Sequence, residues 1–453
     1  MGWRRFLSNI FLPAGYPASV SSVLEGESRA LLLLGINPDI ADLSGHGVGK
    51  ADASATHAIL LTVLQEIFSR LTTVVAGYYL GTSLYPEAKT YRLLADIFND
   101  ASIVLDTLSP HLSAVVLSAQ YPFARAGSGS ALRVAALCAS GASRALCAAV
   151  AGGSKAALTL HFASSGAING DVGDLNAKDA SKETILALLG MLCGTGVMHY
   201  VHSTHATYIV LFTLLFFHLL WNYLAVRVVV LRSLNRQRAS IVWSAYSARR
   251  NKAFGTPGSS VPRVLTPKAV AQHERIFANP SALYDTSTHA KLFLGSCHIG
   301  SAFSSISPNA SLSYSSTPHL TLAQLTSLLE TLSSEQYLLW YSPPTRSSSH
   351  LSLHILMKPH HRPSDHLKAW AHAYEAARLL VGRAPNDFEV GLAAVQTARA
   401  VVEEAWEDFI EGVREAGWKL AEGEGGLVGV GRTIQVEVQE SAKDEINEDR
   451  KKV

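Results

Sequence analysis

Two rhythms of apolar and polar residues run along this chain. From Ala55 to Val230 long apolar runs recur at helical spacing; beyond Pro280 the runs shorten, and one of them alternates residue by residue. Ala55–Leu80 predicts a long helix, with Asp52 or Ser54 placed to cap it and Glu66 four residues ahead of Arg70 on one face. Tyr91–Leu108 predicts an amphipathic helix that Ser109-Pro110 should stop. Its apolar side carries Leu93, Leu94, Ile97, Phe98, Val104 and Leu105, and Arg92, Asp96, Asn99, Asp100 and Asp106 form a polar stripe. In Ala131–Gly153 the small residues Gly141, Ala145, Ala149 and Gly153 recur every fourth position, a spacing that lets helix backbones approach closely. Arg133 and Arg144 interrupt that segment, so it should pack against other helices and not face lipid all round.

Ile185–Val201 and Ala206–Val230 are the strongest transmembrane candidates of the pattern. The 25 residues of the second reach about 37 Å as a helix, against a hydrocarbon core of about 30 Å. Lys178 and Lys182 precede the pair and Arg227, Arg232, Arg236 and Arg238 follow it, while the turn between carries no Lys or Arg. That asymmetry predicts a hairpin with both outer ends on the positive, cytoplasm-like side. Asn251–Pro280 has the Gly and Pro content of a linker. After it, Leu320–Leu332 predicts a helix, Gln336–Tyr341 and Ser349–Met357 predict strands, Asp365–Val381 and Asn386–Ala416 predict helices, and Thr433–Val438 predicts a last short strand. The expected fold is mainly α, a membrane-associated helical bundle followed by a small α+β domain. Its divisions are an N-terminal segment (1–50), a helical membrane domain (51–240), a linker (241–280), a soluble α+β domain (281–440) and a charged, disordered tail (441–453).

Composition sharpens the membrane reading. Hydrophobic residues make up 48% of the 453 positions and charged residues 16%, against about 25% charged in ordinary soluble domains. A net charge of +2 gives no case for a nucleic-acid partner. Cys138, Cys147, Cys193 and Cys297 form no CxxC pair and read as buried, reduced thiols. The N-terminus lacks a signal-peptide pattern, because Pro13, Gly15 and Pro17 break its apolar run.

Chemistry-bearing patterns are sparse. Gly152-Gly153-Ser154-Lys155 lacks the spacing of a phosphate loop, and no strand precedes it. His199, His202 and His205, like His354, His360, His361 and His366, are weak metal patterns, and no metal site is assigned to them. No nucleophile with an identifiable base emerges, so no catalytic residue is assigned and the expected protein is not an enzyme; the sequence specifies no cofactor. Asp96, Asn99 and Asp100 carry the most promise: two carboxylates on consecutive turns beside an amide can hold a cation or a polar solute inside a bundle.

Several segments together resemble one family. They are FLPAGYPASV (Phe11–Val20), DASAT (Asp52–Thr56), RLLADIFND (Arg92–Asp100), Gly152–His161, Asn176–Thr184 and NYLAVRVVVLRSLNRQRAS (Asn222–Ser240). The chain is similar in these to the root UVB sensitive (RUS) proteins. Val23–Lys50 departs from the family's pattern and looks shortened. The resemblance implies a membrane-associated helical domain, a less regular C-terminal region and a link to vitamin B6 homeostasis. It also draws attention to Lys155, His161, Asp179, Lys182 and Glu183, which fall in the matched segments and would line the same cavity as Asp96, Asn99 and Asp100 if the segments pack together. The function it implies is an integral membrane protein that transports, or scaffolds the handling of, a small polar metabolite. The alternative is a membrane-anchored adaptor or cofactor-binding protein that meets a protein partner through the C-terminal domain.

Overall fold

The computed structural model describes residues 55–112, 128–163, 171–253, 264–286, 292–306, 320–342, 350–382 and 387–420. The expected strand Thr433–Val438, the charged tail, Phe11–Val20 and Val23–Lys50 lie outside them. The chain divides into two compact units, Met1–Leu231 and Arg232–Val453.

The described secondary-structure elements of the first unit are all helices: α1 (Ala55–Leu80), α2 (Ala88–Leu112), α3 (Ser128–Ala163), α4 (Val172–Tyr200) and α5 (Thr204–Val228). Helix α3 is the axis of the unit, packed chiefly against α2 and α1. The small-residue repeat explains the fit: a Cβ added at Gly141 would sit 3.0 Å from the backbone oxygen of Gln65 on α1, so only glycine permits that approach. Helix α2 carries Pro110 inside its last turn and continues to Leu112, two residues past the expected stop.

Helix α4 differs from expectation. The polar stretch Asn176–Thr184 and the apolar stretch from Ile185 form one 29-residue helix, capped by the Asp171 side chain on the Gly173 N–H at 2.8 Å. None of its residues is buried. Among the described residues, the helices long and apolar enough to cross a membrane are Ala131–Ala163 and Thr204–Val228. Ile185–Val201 is therefore not part of that pair, because the charges of Asp174, Lys178, Asp179, Lys182 and Glu183 occupy the first half of its helix. The candidate spans are thus α3 and α5, in place of the pair expected at 185–230.

The second unit is α+β. A four-stranded sheet has the order β1-β2-β4-β3, with β1 Ala282–Asp285, β2 Leu292–Ile299, β3 Tyr337–Ser342 and β4 Ser352–Met357. The β2/β4 pair is parallel, with Cys297 opposite Leu353; the two outer pairs are antiparallel. Gly295 adopts φ +149° opposite the bulge at Leu283/Tyr284, and a Cβ there would press on the Leu351 carbonyl oxygen at 2.5 Å. Helices α6 (Arg236–Ala253), α7 (Pro267–His273), α8 (Leu322–Thr331), α9 (Pro363–Leu380) and α10 (Phe388–Glu415) complete it. The face of α9 marked by Leu367, Trp370, Ala371, Tyr374 and Ala377 is wholly buried against the sheet and α6, as its periodicity requires. From α10, Phe409 and Val413 are buried, and Trp406 and Ile410 pack against the same core.

The described parts of the stretch expected as a linker, 241–253 and 264–280, carry residues of the second unit's core. Helix α6 buries Ala239, Val242, Trp243 and Tyr246 in the second unit's core, and Val264 and Val270 join them. The reason lies in contacts distant in sequence. Trp243 Nε1 and Ser247 Oγ both donate to Glu375 Oε1 on α9, at 3.0 and 2.7 Å, and Trp370 Nε1 donates to Ser240 Oγ at 2.9 Å. The Gly/Pro-rich residues 254–263 lie outside the described residues.

Candidate functional site

The polar stripe of α2 turns inward. Asp96, Asp100 and Asp106 are all buried on a helix packed against α3 and α5, whereas Leu94, Ile97, Phe98, Val104 and Leu105 of its expected apolar side are only half-buried. Each carboxylate meets a different partner. Asp100 holds His218 of α5, whose Nδ1 lies 2.9 and 3.0 Å from the two carboxylate oxygens. Asp106 pairs with Arg144 of α3. Asp96 lies 3.7 Å from Arg92 on its own helix, one turn back. Burial raises the Asp96 carboxyl above the usual carboxylate range, against the lowering pull of Arg92 and His218.

These partners leave part of the stripe unsatisfied. Asp96 Oδ2, Asn99 Nδ2 and Asp106 Oδ1 are shut off from solvent and find no hydrogen-bond partner among the described residues. Buried polar atoms are nearly always paired, and leaving one unpaired costs about 1–3 kcal/mol. Asp96 Oδ2 is an acceptor and Asn99 Nδ2 a donor, one helical turn apart on the same face. The stripe therefore presents an unused acceptor and an unused donor to a small molecule or ion with complementary groups.

The remaining candidate residues do not converge on that stripe as one cluster. Lys155, on the last turns of α3, bridges to Asp179 at 3.0 Å and Glu183 at 2.7 Å on α4. All three side chains are half-exposed, so this is a surface clasp between two helices. Lys182 lies beside it, and burial lowers its ammonium pKa against the raising effect of Asp179. His161 is buried near the end of α3, next to the Phe162 ring. Lys155, expected to line one cavity with Asp96, Asn99 and Asp100, pairs instead with α4, and Arg144 pairs with Asp106. His218 was not singled out by the sequence pattern. Its signal was a lone titratable residue in the apolar run of α5, which burial permits only with a partner.

Residues 33–250 match the family model described as "Vitamin B6 photo-protection and homoeostasis domain". The chain is 26% identical over 434 residues to Protein root UVB sensitive 3 of Arabidopsis thaliana, covering 92% of this chain and 83% of that protein. The chain belongs to the root UVB sensitive family. It is also 29% identical over 255 residues to RUS family member 1 of Dictyostelium discoideum, covering 54% of this chain and 45% of that relative. No solved structure matches. The RUS match begins inside Val23–Lys50, takes in α1 to α5 and ends within α6. The inward stripe and its His218 partner thus lie in the part that defines the family, and the sheet of the second unit lies beyond it.

Proposed function

We propose that this RUS protein is a non-enzymatic integral membrane protein whose first unit transports, or holds for transfer, a small polar metabolite. The observation that carries this reading is the unsatisfied donor–acceptor pair at Asp96 and Asn99, beside the Asp100–His218 pair. A membrane setting is supported by the outward faces of the same unit. Val74 on α1, Leu192 on α4 and Phe216 on α5 are 72, 71 and 62% exposed, and α3 and α5 have the length and hydropathy of spans. The family model's description makes vitamin B6 compounds the first solutes to try. They are small, polar and rich in both donors and acceptors, as the stripe requires.

The test is ligand binding and flux with the full chain in detergent and in proteoliposomes, using pyridoxine, pyridoxal and pyridoxamine as probes alongside unbiased mass spectrometry of co-purified metabolites. Binding or flux by wild type, with a loss of at least tenfold in Asp96→Asn and Asn99→Leu, supports the reading. A correctly folded Asp96→Asn protein that retains full binding removes the stripe as the site. A chain that alkaline carbonate releases from membranes removes the integral reading.

A second reading, a membrane-anchored adaptor or cofactor binder, has its own support in the second unit. That unit has a complete core of its own and an open surface hollow along α10, lined by Gln396, Arg399 and Glu403. Deleting the whole second unit, residues 232–453, separates the readings: an adaptor loses its partners, whereas a transporter keeps its solute site.

A further inference from the structure

Outside the stripe, one cluster of imidazoles gathers in the second unit. It lies in the turn between β4 and α9, Lys358–Arg362, and the first turn of α9. His360 adopts φ +65°, a left-handed conformation uncommon for a residue with a side chain. Such backbone strain persists where the surrounding structure demands it and collects at functional positions. The next residue, His361, is fixed by Nδ1, which lies 2.8 Å from the Lys358 carbonyl oxygen. A carbonyl accepts only, so Nδ1 carries the proton and donates; in the neutral ring the lone pair is left on Nε2. That is the arrangement by which backbone carbonyls orient imidazoles that ligate metals.

His366 faces this ring from α9, with ring centroids 4.8 Å apart and planes at 49°. Its Nε2 is buried and has no hydrogen-bond partner among the described residues. Two imidazoles bound to one tetrahedral ion at about 2.1 Å place their ring centres about 5 Å apart. The observed separation of 4.8 Å leaves room for one ion held by both rings, a spacing that ring pairs without an ion also adopt.

We propose that His361 and His366 form a two-histidine site for a late divalent transition metal ion of the zinc–copper type, with water or an external ligand completing the shell. Neutral imidazole suits these ions, and a strongly hydrated oxygen-seeking ion such as Mg2+ does not fit the donor set. The site lies in the second unit and is independent of the solute site proposed on α2.

The experiment uses the full chain in detergent, stripped with chelator and titrated with Zn2+ and Ni2+ by calorimetry and with Cu2+ by electron paramagnetic resonance. Wild type should bind one ion at this site and show nitrogen coupling from two imidazoles. His361→Ala and His366→Leu should each weaken binding at least tenfold and reduce the signal to that of a single nitrogen or none. His366→Leu removes an unsatisfied buried group, so its metal-free melting temperature should match or exceed wild type, which separates loss of the site from loss of the fold. The variant lacking His199, His202 and His205 together should bind as wild type does. The proposal is overturned if wild type binds no ion, if both single variants bind normally, or if only the triple variant loses the ion.

Discussion

In the second unit the residues withdrawn from water are Trp243, Trp370, Phe409 and their neighbours, and the buried charges Arg238, Glu335 and Glu375 are each partnered. In the first, α1, α4 and α5 turn Leu71, Val74, Leu192, Met198 and Phe216 outward, while Asp96, Asp100 and Asp106 are inside. One half of the chain is built to exclude water from an apolar centre. The described part of the other buries carboxylates among apolar residues such as Leu137 and Val150 and turns many large apolar side chains outward. A helix that buries none of its residues yet carries Leu188, Leu189, Met191 and Leu192 on its surface cannot gain stability from a hydrophobic interior of its own. On the reading proposed above, lipid supplies the environment that such a surface needs.

The sharpest way to break that contrast is to truncate one large side chain in each unit. Trp370 is fully buried and its indole N–H reaches Ser240, so Trp370→Ala should destabilise the second unit by about 3–5 kcal/mol. Leu192→Ala removes a side chain that the first unit leaves 71% exposed and should stay within about 0.5 kcal/mol. Denaturant unfolding of the full chain in detergent measures both. Equal costs would show that α4 is covered by protein.

Polarity can be inverted instead of volume. Phe216 stands in the middle of α5 and faces outward. If lipid covers it, Phe216→Arg should disfavour insertion by about 2.5–3.5 kcal/mol and lower the carbonate-resistant fraction. If water covers it, the same change should leave fractionation unaltered and improve solubility.

A titration probes the other side of the contrast. His372 is buried in the second unit, with Nε2 2.9 Å from the Val395 carbonyl and Nδ1 3.1 Å from the Tyr337 hydroxyl. Burial pushes its pKa down to about 4, below the ordinary value of 6.5. Between those values the unfolded chain binds a proton that the folded chain refuses. Stability contributed by the neutral ring is therefore present above pH 6.5, falls as pH drops toward 4, and is lost below it. The full effect is about 3 kcal/mol. His372→Gln should flatten that part of the stability–pH curve, read by tryptophan fluorescence.

How much of this was legible in the chain follows the range of the interactions. Helix α1 and the apolar faces of α9 and α10 emerge from local periodicity, because each helix sorts its own residues between inside and outside. The strands β1 and β2 were not predicted. Gly295 and the polar Ser296 and His298 break the apolar alternation of β2, and its parallel partner lies more than fifty residues away across α8 and β3. Helix α6 looked like the approach to a linker because its charged residues mask Trp243 and Tyr246, which only the distant α9 and α10 reveal as core. The stripe of α2 was readable from spacing, since burial on one face needs only one helix. Its partner was not: nothing local to Asp100 points to His218, 118 residues on.

The smallest expected effect concerns whether the candidate residues form one site or two. Lys155 meets Asp179 and Glu183, with side chains 38, 46 and 49% exposed. Exposed pairs of this kind are worth about 0–1 kcal/mol and weaken further with salt. Lys155→Met should therefore cost less than about 1 kcal/mol, and high salt should remove most of the difference from wild type. It should also leave solute binding intact where Asp96→Asn abolishes it, because the clasp joins α3 to the polar half of α4 while the unsatisfied atoms of the stripe lie on α2. Measuring both variants against the same probe at low and high salt settles the division. If Lys155→Met weakens binding as much as Asp96→Asn does, the ammonium belongs to the solute site, and the charged face of α4 must be counted with the interior of the first unit.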